Sequence, residues 1–268
     1  MAIPVGTTGQ DGSGQPSIAR MRDCWMGGTH HSDADREFAD QIAVCAPHLP
    51  YLVRAQRAWL DRLVRYLAEH GIRQFLDLGS GVPVEGHVHE VAQEVAPDNR
   101  VVYVDIDPEI VAEGRGILDG NPHAGFVQAD IRRPREVLEA LEVKQLLDLG
   151  EPVAVLLIDT LVHIPDSADP AALVSGYLDA MCSGSYLAIS HFSASEQLNL
   201  GLGMFGEMFG TPPTVTLREP REVERFFADL DMVEPGVVPV TLWRPMSEYD
   251  MGRNPELAQV HAGVARKP

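Results

Sequence analysis

The chain has 268 residues, 45% of them hydrophobic and 22% charged, a composition that suits a folded protein with a substantial core. Its formal net charge of -18 works against any role that depends on neutralising phosphate backbones, so no nucleic acid is expected as a partner. Cys24, Cys45 and Cys182 form no paired motif, no apolar run reaches ~18 residues, and no basic-then-apolar leader opens the chain, so a cytoplasmic protein without membrane contact or thiolate metal site is expected.

Residues 1–17 are rich in Gly, Ser, Thr, Gln and Pro and read as a mobile arm. Residues 18–71 read as an N-terminal helical cap. Its first stretch, Ile18 to Arg36, concentrates site-grade chemistry: Arg20, Arg22, Trp25, Gly27, Gly28, His30 and His31. Ser32 is then a plausible N-cap for a helix carrying Phe38, Ile42 and Cys45 and ending at Pro47. A second helix, from about Pro50 to His70, puts Leu52, Ala55, Trp59, Leu63 and Leu67 on one face, with Gly71 as its stop. The two helices serve either as a lid or as plain packing against the sheet.

Residues 72–268 are expected to form an α/β domain built around Phe75-Leu76-Asp77-Leu78-Gly79-Ser80-Gly81. Apolar residues before an acid suit a buried parallel strand, and two glycines two apart allow a tight turn and close approach to a ligand. The next strand, Val101 to Asp107, places Asp105 24 residues after Gly81, where a carboxylate accepts hydrogen bonds from ribose hydroxyls. The third glycine of a dinucleotide fingerprint is replaced by Val84, which disfavours a pyrophosphate cofactor such as NAD. S-adenosylmethionine (SAM) lacks that demand, and Asp77 suits its sulfonium or ammonium group. A third strand, Gly125 to Ile131, ends in Asp130, placed to accept from the adenine amine, while Ile106 and Ile131 cover the ring faces. The ordered set of strand-end acids is similar to class I SAM-dependent methyltransferases.

Beyond it, Arg132, Arg133 and Arg135 surround a helix opened by Pro134, and read as a solvated face or as an anion grip that His30 and His31 could join. The fourth strand, Val153 to Ile158, runs into Asp159 and His163; the fifth, Ser185 to Ser190, into His191. These three residues are the candidates for catalysis on the acceptor side, because ligands of open α/β sheets lie at the carboxyl ends of strands. Asp169-Pro170 opens a helix. Gly201 to Gly210, with Met204, Phe205, Met208 and Phe209, reads as an apolar helix near the acceptor or in the core. A helix through Val223, Phe226 and Phe227 follows. Short strands at Val237 to Trp243 and at His261 to Ala265 close the chain.

The stretch Arg20, Asp23, Gly27, Gly28, Asp35, Arg36, with Trp25 at an apolar or aromatic position, resembles the opening of an actinobacterial SAM-dependent methyltransferase family formerly known as a domain of unknown function. The likeness continues through Arg57, Arg65-Tyr66-Leu67, Gln74 to Gly81, His89 to Gln93, Val101 to Asp107, Pro235-Gly236 and Trp243-Arg244-Pro245. Thr29-His30-His31 departs from the family's Lys-Asp-like pair. The resemblance implies a class I, Rossmann-like, mostly parallel sheet with an antiparallel last strand, and SAM as cofactor.

In that reading Gly79, Ser80 and Gly81 admit the cofactor, Asp105 holds the ribose, Asp130 the adenine and Arg20 the methionine carboxylate. The partner is a small-molecule methyl acceptor of specialised metabolism, methylated in line at C, N or O, with no catalytic metal. The sequence sets neither the acceptor nor an oligomeric state. The competing readings are an NAD-dependent oxidoreductase, separated by which cofactor binds, and a non-catalytic SAM-binding regulator, separated by turnover.

Overall fold

The computed structural model describes residues 16–82, 86–209, 214–252, 255 and 258–268; nearly all of the expected arm, Val84 and Gly210 lie outside them. The elements in order are α1 (Ile18–Met26), α2 (Asp33–Cys45), α3 (Leu49–Glu69), β1 (Gln74–Leu78), α4 (Val88–Val95), β2 (Arg100–Asp105), α5 (Pro108–Ile117) and β3 (Ala124–Gln128). Then come α6 (Pro134–Leu138), α7 (Leu141–Leu146), β4 (Ala154–Ile158), α8 (Pro170–Leu178), β5 (Tyr186–Phe192) and α9 (Glu196–Phe209). The chain closes with α10 (Pro220–Glu224), β6 (Asp231–Met232), β7 (Val238–Pro239), α11 (Glu248–Met251) and β8 (Val260–Arg266).

The strands form one sheet in the order β3-β2-β1-β4-β5-β8-β6, with β7 also on β8. The first five are parallel, and β6, β7 and β5 all run antiparallel to β8. Because β1 pairs with both β2 and β4, the crossovers diverge on either side of it. That divergence opens a crevice above the carboxyl ends of β1 and β4, the place where such sheets bind ligands.

Alternation along the strands divides the core into two layers. Phe75, Val101, Tyr103, Leu156 and Ala188 pack on one face with Leu52, Trp59, Leu63 and Leu67 of α3. Leu76, Leu78, Val102, Val155 and Ile189 pack on the other with Val137, Val143, Leu173 and Tyr177. The apolar face of α3 read from the sequence is therefore core against the sheet. Buried Arg62 ties that helix to the C-terminal segment through Nη2 to Val240 O at 2.7 Å and Nε to Trp243 O at 3.3 Å. Ser32 caps α2 in a reciprocal box with Asp35, and Asp169 caps α8 through Ala172 N at 3.1 Å.

The structure departs from the sequence reading in several places: β3 stops at Gln128, short of Asp130, and the strand expected over Val237 to Trp243 shortens to β7. Ile18–Met26 is a helix, where its polar chemistry masked the periodicity. The two-residue β6 leaves no pattern to read. β5 runs on to Phe192 because β8 pairs with it as far as Val260, so His191 lies inside the strand and not beyond its end.

Candidate active site

β1 delivers the chain into the glycine turn. Gly79 and Gly81 have φ of 73° and 68°, in the left-handed region that side chains other than glycine rarely adopt. The amides of Gly79 and Ser80 both donate to Val104 O, at 2.8 and 3.1 Å, and Ser80 Oγ donates to Gly81 O at 3.1 Å. A Cβ on Gly79 would lie 2.6 Å from Thr160 Cγ2, and Thr160 Oγ1 donates to Leu78 O at 2.8 Å. The loops after β1 and β4 are thus locked together.

Asp105 ends β2 beside this turn. Its Oδ2 accepts from Gly81 N and its Oδ1 from Asp107 N, both at 3.0 Å. Burial raises its pKa while those amides favour the carboxylate. Asp107 caps α5 through Glu109 N at 2.8 Å. Between the two acids, Ile106 stands 40% exposed, an apolar side chain open at a strand end. Ile131, by contrast, belongs to the core, and its carbonyl accepts from Tyr177 Oη at 2.8 Å. Asp130 is held by Arg132, with Nη2 to Oδ2 at 2.7 Å, and hydrogen bonds from that residue lower its pKa. Arg133 pairs with Glu136 at 3.1 Å.

Asp77 is buried, and desolvation pushes its carboxyl up to about 7 against the field of Arg57 in α3. Arg57 has its own pKa lowered by burial, and its Nη2 has no hydrogen-bond partner among the described residues. Arg20 donates to Asp35 and to Glu109, each at 3.0 Å, joining α1 to α2 and α5. His30 Nδ1 lies 2.5 Å from Glu113 on α5, and His31 Nδ1 lies 2.8 Å from Asp23. The two histidines therefore bond within the cap and to α5.

The second half of the site begins at Asp159, just past β4, a non-glycine residue with φ of 59°. Such a conformation costs of order 1–3 kcal/mol and persists where the surroundings impose it. Here they do: Asp159 N donates to Ser190 O at 3.0 Å, and Oδ2 accepts from Arg22 of α1. Arg22 also donates to Gln56 of α3, whose Nε2 donates to Ser190 Oγ at 2.7 Å. Asp159 Oδ1 is buried without a partner among the described residues, and burial pushes the carboxyl up to about 7 against the pull of Arg22. His163 Nδ1 is likewise buried and unpartnered, and burial pushes that imidazole down to about 4.

Arg22, Asp159 and His163 lie on one cavity of about 130 Å³. The rest of its lining is almost wholly apolar, drawn from α1, α2, α3 and α9 and from Ala46, Val162, Phe192, Val215 and Leu217. Of the α9 residues, Leu198, Gly201, Leu202 and Phe205 line it, while Met204 and Met208 do not and are exposed.

His191 does not line this cavity. It is fully buried, with Nδ1 donating to Phe192 O at 2.7 Å and Nε2 accepting from Arg218 at 2.8 Å. Both ring nitrogens are occupied, so the imidazole is a neutral support for Arg218. That arginine also donates to the carbonyls of Leu161 at 2.8 Å and Ile164 at 2.7 Å, and to Asp166. It fixes the loop that carries His163. Sequence reasoning gave no role to Arg22, Gln56, Arg57 or Arg218. Arg22, among other polar residues in a segment expected near the site, and Arg57, within the family resemblance, carried a signal; Gln56 and Arg218 carried none. Among the described residues, no group of three or more His, Cys, Asp or Glu could hold a metal ion, and no helix is long and apolar enough to cross a membrane.

The family model for S-adenosyl methyltransferases matches residues 9–268. Among solved structures, the chain is similar to a DUF574 family protein from Streptomyces avermitilis, at 38% identity and a TM-score of 0.87 over 94% of this chain and 98% of that one. It is equally similar to a candidate methyltransferase from Thermobifida fusca, at 38% identity and a TM-score of 0.85 over 96% of each chain. The plantazolicin methyltransferase BpumL, at 12% identity and a TM-score of 0.50 over 93% of this chain and 96% of that one, shares the fold. No curated protein matches the chain. The Rossmann-like sheet with antiparallel last strands is therefore the class I methyltransferase fold, SAM takes the place that NAD would have held, and the chain belongs to the S-adenosyl methyltransferase family.

Proposed function

We propose that this SAM-dependent methyltransferase acts on a small molecule of specialised metabolism, bound in the apolar cavity beneath the cap formed by residues 18–71. The observation that carries the reading is the adjacency of two unlike halves. A glycine turn with a held carboxylate, Asp105, is locked through Thr160 to a cavity floor formed by Asp159 and His163.

The residues of the first half fit the cofactor. Asp105, oriented by two backbone amides, presents lone pairs for ribose hydroxyls, and the exposed face of Ile106 suits an adenine ring. Gly79, Ser80 and Gly81 admit close backbone approach, while Asp77 supplies a carboxyl near the amino-acid end. Arg20 is occupied by Asp35 and Glu109, and the unpartnered Nη2 of Arg57 suits the methionine carboxylate better. Asp130 would take the adenine amine alongside Arg132. Bound there, SAM supplies a methyl group on a sulfonium centre as the electrophile.

This chain's own part is to hold the acceptor's nucleophile in line behind that methyl and to take its proton. Positioning of this kind contributes several kcal/mol by order of magnitude. Asp159 is our assignment for the base, with Arg22 holding its other oxygen, and His163 lies on the same floor. The -18 charge disfavours nucleic acid as the acceptor.

The test is incubation with isotopically labelled SAM and a fractionated small-molecule extract, followed by mass detection of labelled product. Label in low-mass products supports the reading; label confined to protein or nucleic acid overturns it.

A further inference from the structure

The cavity also indicates what kind of acceptor it takes, on the reading that the methyl is delivered above Asp159. Its walls bring apolar surface from Ile18, Met21, Trp25, Phe192, Phe205 and Leu217. Cys45 apart, its titratable lining residues are Arg22, Asp159 and His163. Arg22 and Asp159 neutralise each other as an ion pair, and His163 is deeply buried as the uncharged imidazole. A charged acceptor would be stripped of water there and find no free counter-charge.

Three lining residues each carry a buried polar atom without a partner among the described residues: Asp159 Oδ1, His163 Nδ1 and Trp25 Nε1. A carboxylate oxygen accepts, an indole N–H donates, and an imidazole nitrogen does either according to its tautomer. Buried polar atoms are normally satisfied, so three on one apolar cavity mark where a ligand's polar group belongs. A hydroxyl matches this mixed set, since it donates once and accepts twice. A carboxylate ligand only accepts, an ammonium only donates, and a bare carbon nucleophile would leave all three atoms unpaired.

We propose that the acceptor is an uncharged, largely apolar hydroxyl compound, buried with its hydroxyl against Asp159 and His163 and methylated on that oxygen. The hydroxyl proton passes to Asp159 Oδ1 as an oxygen lone pair forms the bond to the methyl carbon. The carbon–sulfur bond breaks with its electron pair left on sulfur, so sulfonium becomes neutral thioether. Asp159 then returns the proton to solvent. No further co-reactant is needed.

Calorimetry on the full chain saturated with S-adenosylhomocysteine tests this, using 2-naphthol, 2-naphthoate and 2-naphthylmethylammonium as isosteric probes. The naphthol is expected to bind at least about tenfold more tightly than either charged analogue, because only it satisfies the cavity's donors and acceptors without burying a charge. Leu202→Trp, which fills the cavity, is expected to weaken naphthol binding by at least about tenfold while S-adenosylhomocysteine binding stays within about twofold. With labelled SAM, methyl is expected on the naphthol oxygen, and Asp159→Asn is expected to slow that transfer by about 100-fold or more while binding changes little. A charged analogue that binds as well as the naphthol, no binding of any probe to the saturated protein, or naphthol binding indifferent to Leu202→Trp would overturn the proposal. Failure of S-adenosylhomocysteine itself to bind is a separate result, which removes the cofactor site and the acceptor assignment with it.

Discussion

Arg22 in α1 forms an ion pair with Asp159, 137 positions further along the chain, and so fastens the first helix to the end of β4. Gln56 and Ser190 extend the link into α3 and β5. Helices α1 and α3 and the carboxyl ends of β4 and β5 are therefore one hydrogen-bonded unit.

Burial pushes the Asp159 carboxyl up to about 7, so with Asp159 as the proposed base kcat/KM is expected to rise with pH through that region as the carboxyl loses its proton. Arg22→Met removes the cation that favours the charged form, so this limb is expected to move to higher pH. Rate profiles of both proteins, measured with any turned-over acceptor, decide it; an unmoved limb would separate Arg22 from the base.

Arg218→Leu is expected to destabilise the fold by about 2–4 kcal/mol, because its ion-pair partner Asp166 is exposed and the cost falls on buried acceptors left without a donor, about 1–3 kcal/mol each before relaxation. The loss leaves the Leu161 and Ile164 carbonyls and His191 without their shared donor. Denaturant unfolding measures it, and a change under about 1 kcal/mol would show that water replaces the guanidinium.

Gly79→Ala forces a side chain into the left-handed region and onto Thr160 Cγ2 at 2.6 Å. A cost of about 1–3 kcal/mol is expected. In the Thr160→Ser background, which removes that methyl, part of the cost should return. Identical losses in both backgrounds would assign the effect to the backbone alone.

Acid stability has a definite sign. His163, His191 and His261 lie near 4 in the fold and near ~6.5 unfolded, so the stability they contribute above ~6.5 is lost as pH falls toward 4. Asp77 and Asp159, raised to about 7, act oppositely, contributing stability below ~4 that is lost as pH rises through 7. His87 and His89 join the first group and Asp105 the second, so the histidines outnumber the carboxyls. Tm is expected to fall between pH 6.5 and 4, less steeply in His191→Gln. A flat or rising Tm would contradict the protonation states assigned here.

The fold was legible where chain-local signals agree with the tertiary outcome. β1 through β4 are apolar runs leading into acids or glycines, and Ser32 and Asp169 are caps readable from a few residues. The half proposed for the cofactor was legible as an arrangement for the same reason, because Gly79, Gly81 and Asp105 lie at or just past strand ends in fixed order and the fold brings them together. The acceptor half was less so. Arg22 with Asp159, and Arg218 with His191, are partnerships across 137 and 27 positions that no local spacing encodes. His191 was placed beyond its strand because the antiparallel pairing with β8 that lengthens β5 is non-local. Arg20 read as an open cation, yet Asp35 and Glu109 reach it only in the folded chain.

The division between a cofactor half and an acceptor half is tested most directly by titrating S-adenosylhomocysteine into the wild-type protein, Asp105→Ala and His163→Ala. Asp105→Ala removes the carboxylate assigned to the ribose and is expected to weaken binding by about tenfold to a hundredfold, the worth of one or two charge-assisted hydrogen bonds. His163→Ala, on the cavity floor, is expected to leave binding nearly unchanged. Equal losses in the two variants, or an unaffected Asp105→Ala, would contradict the account.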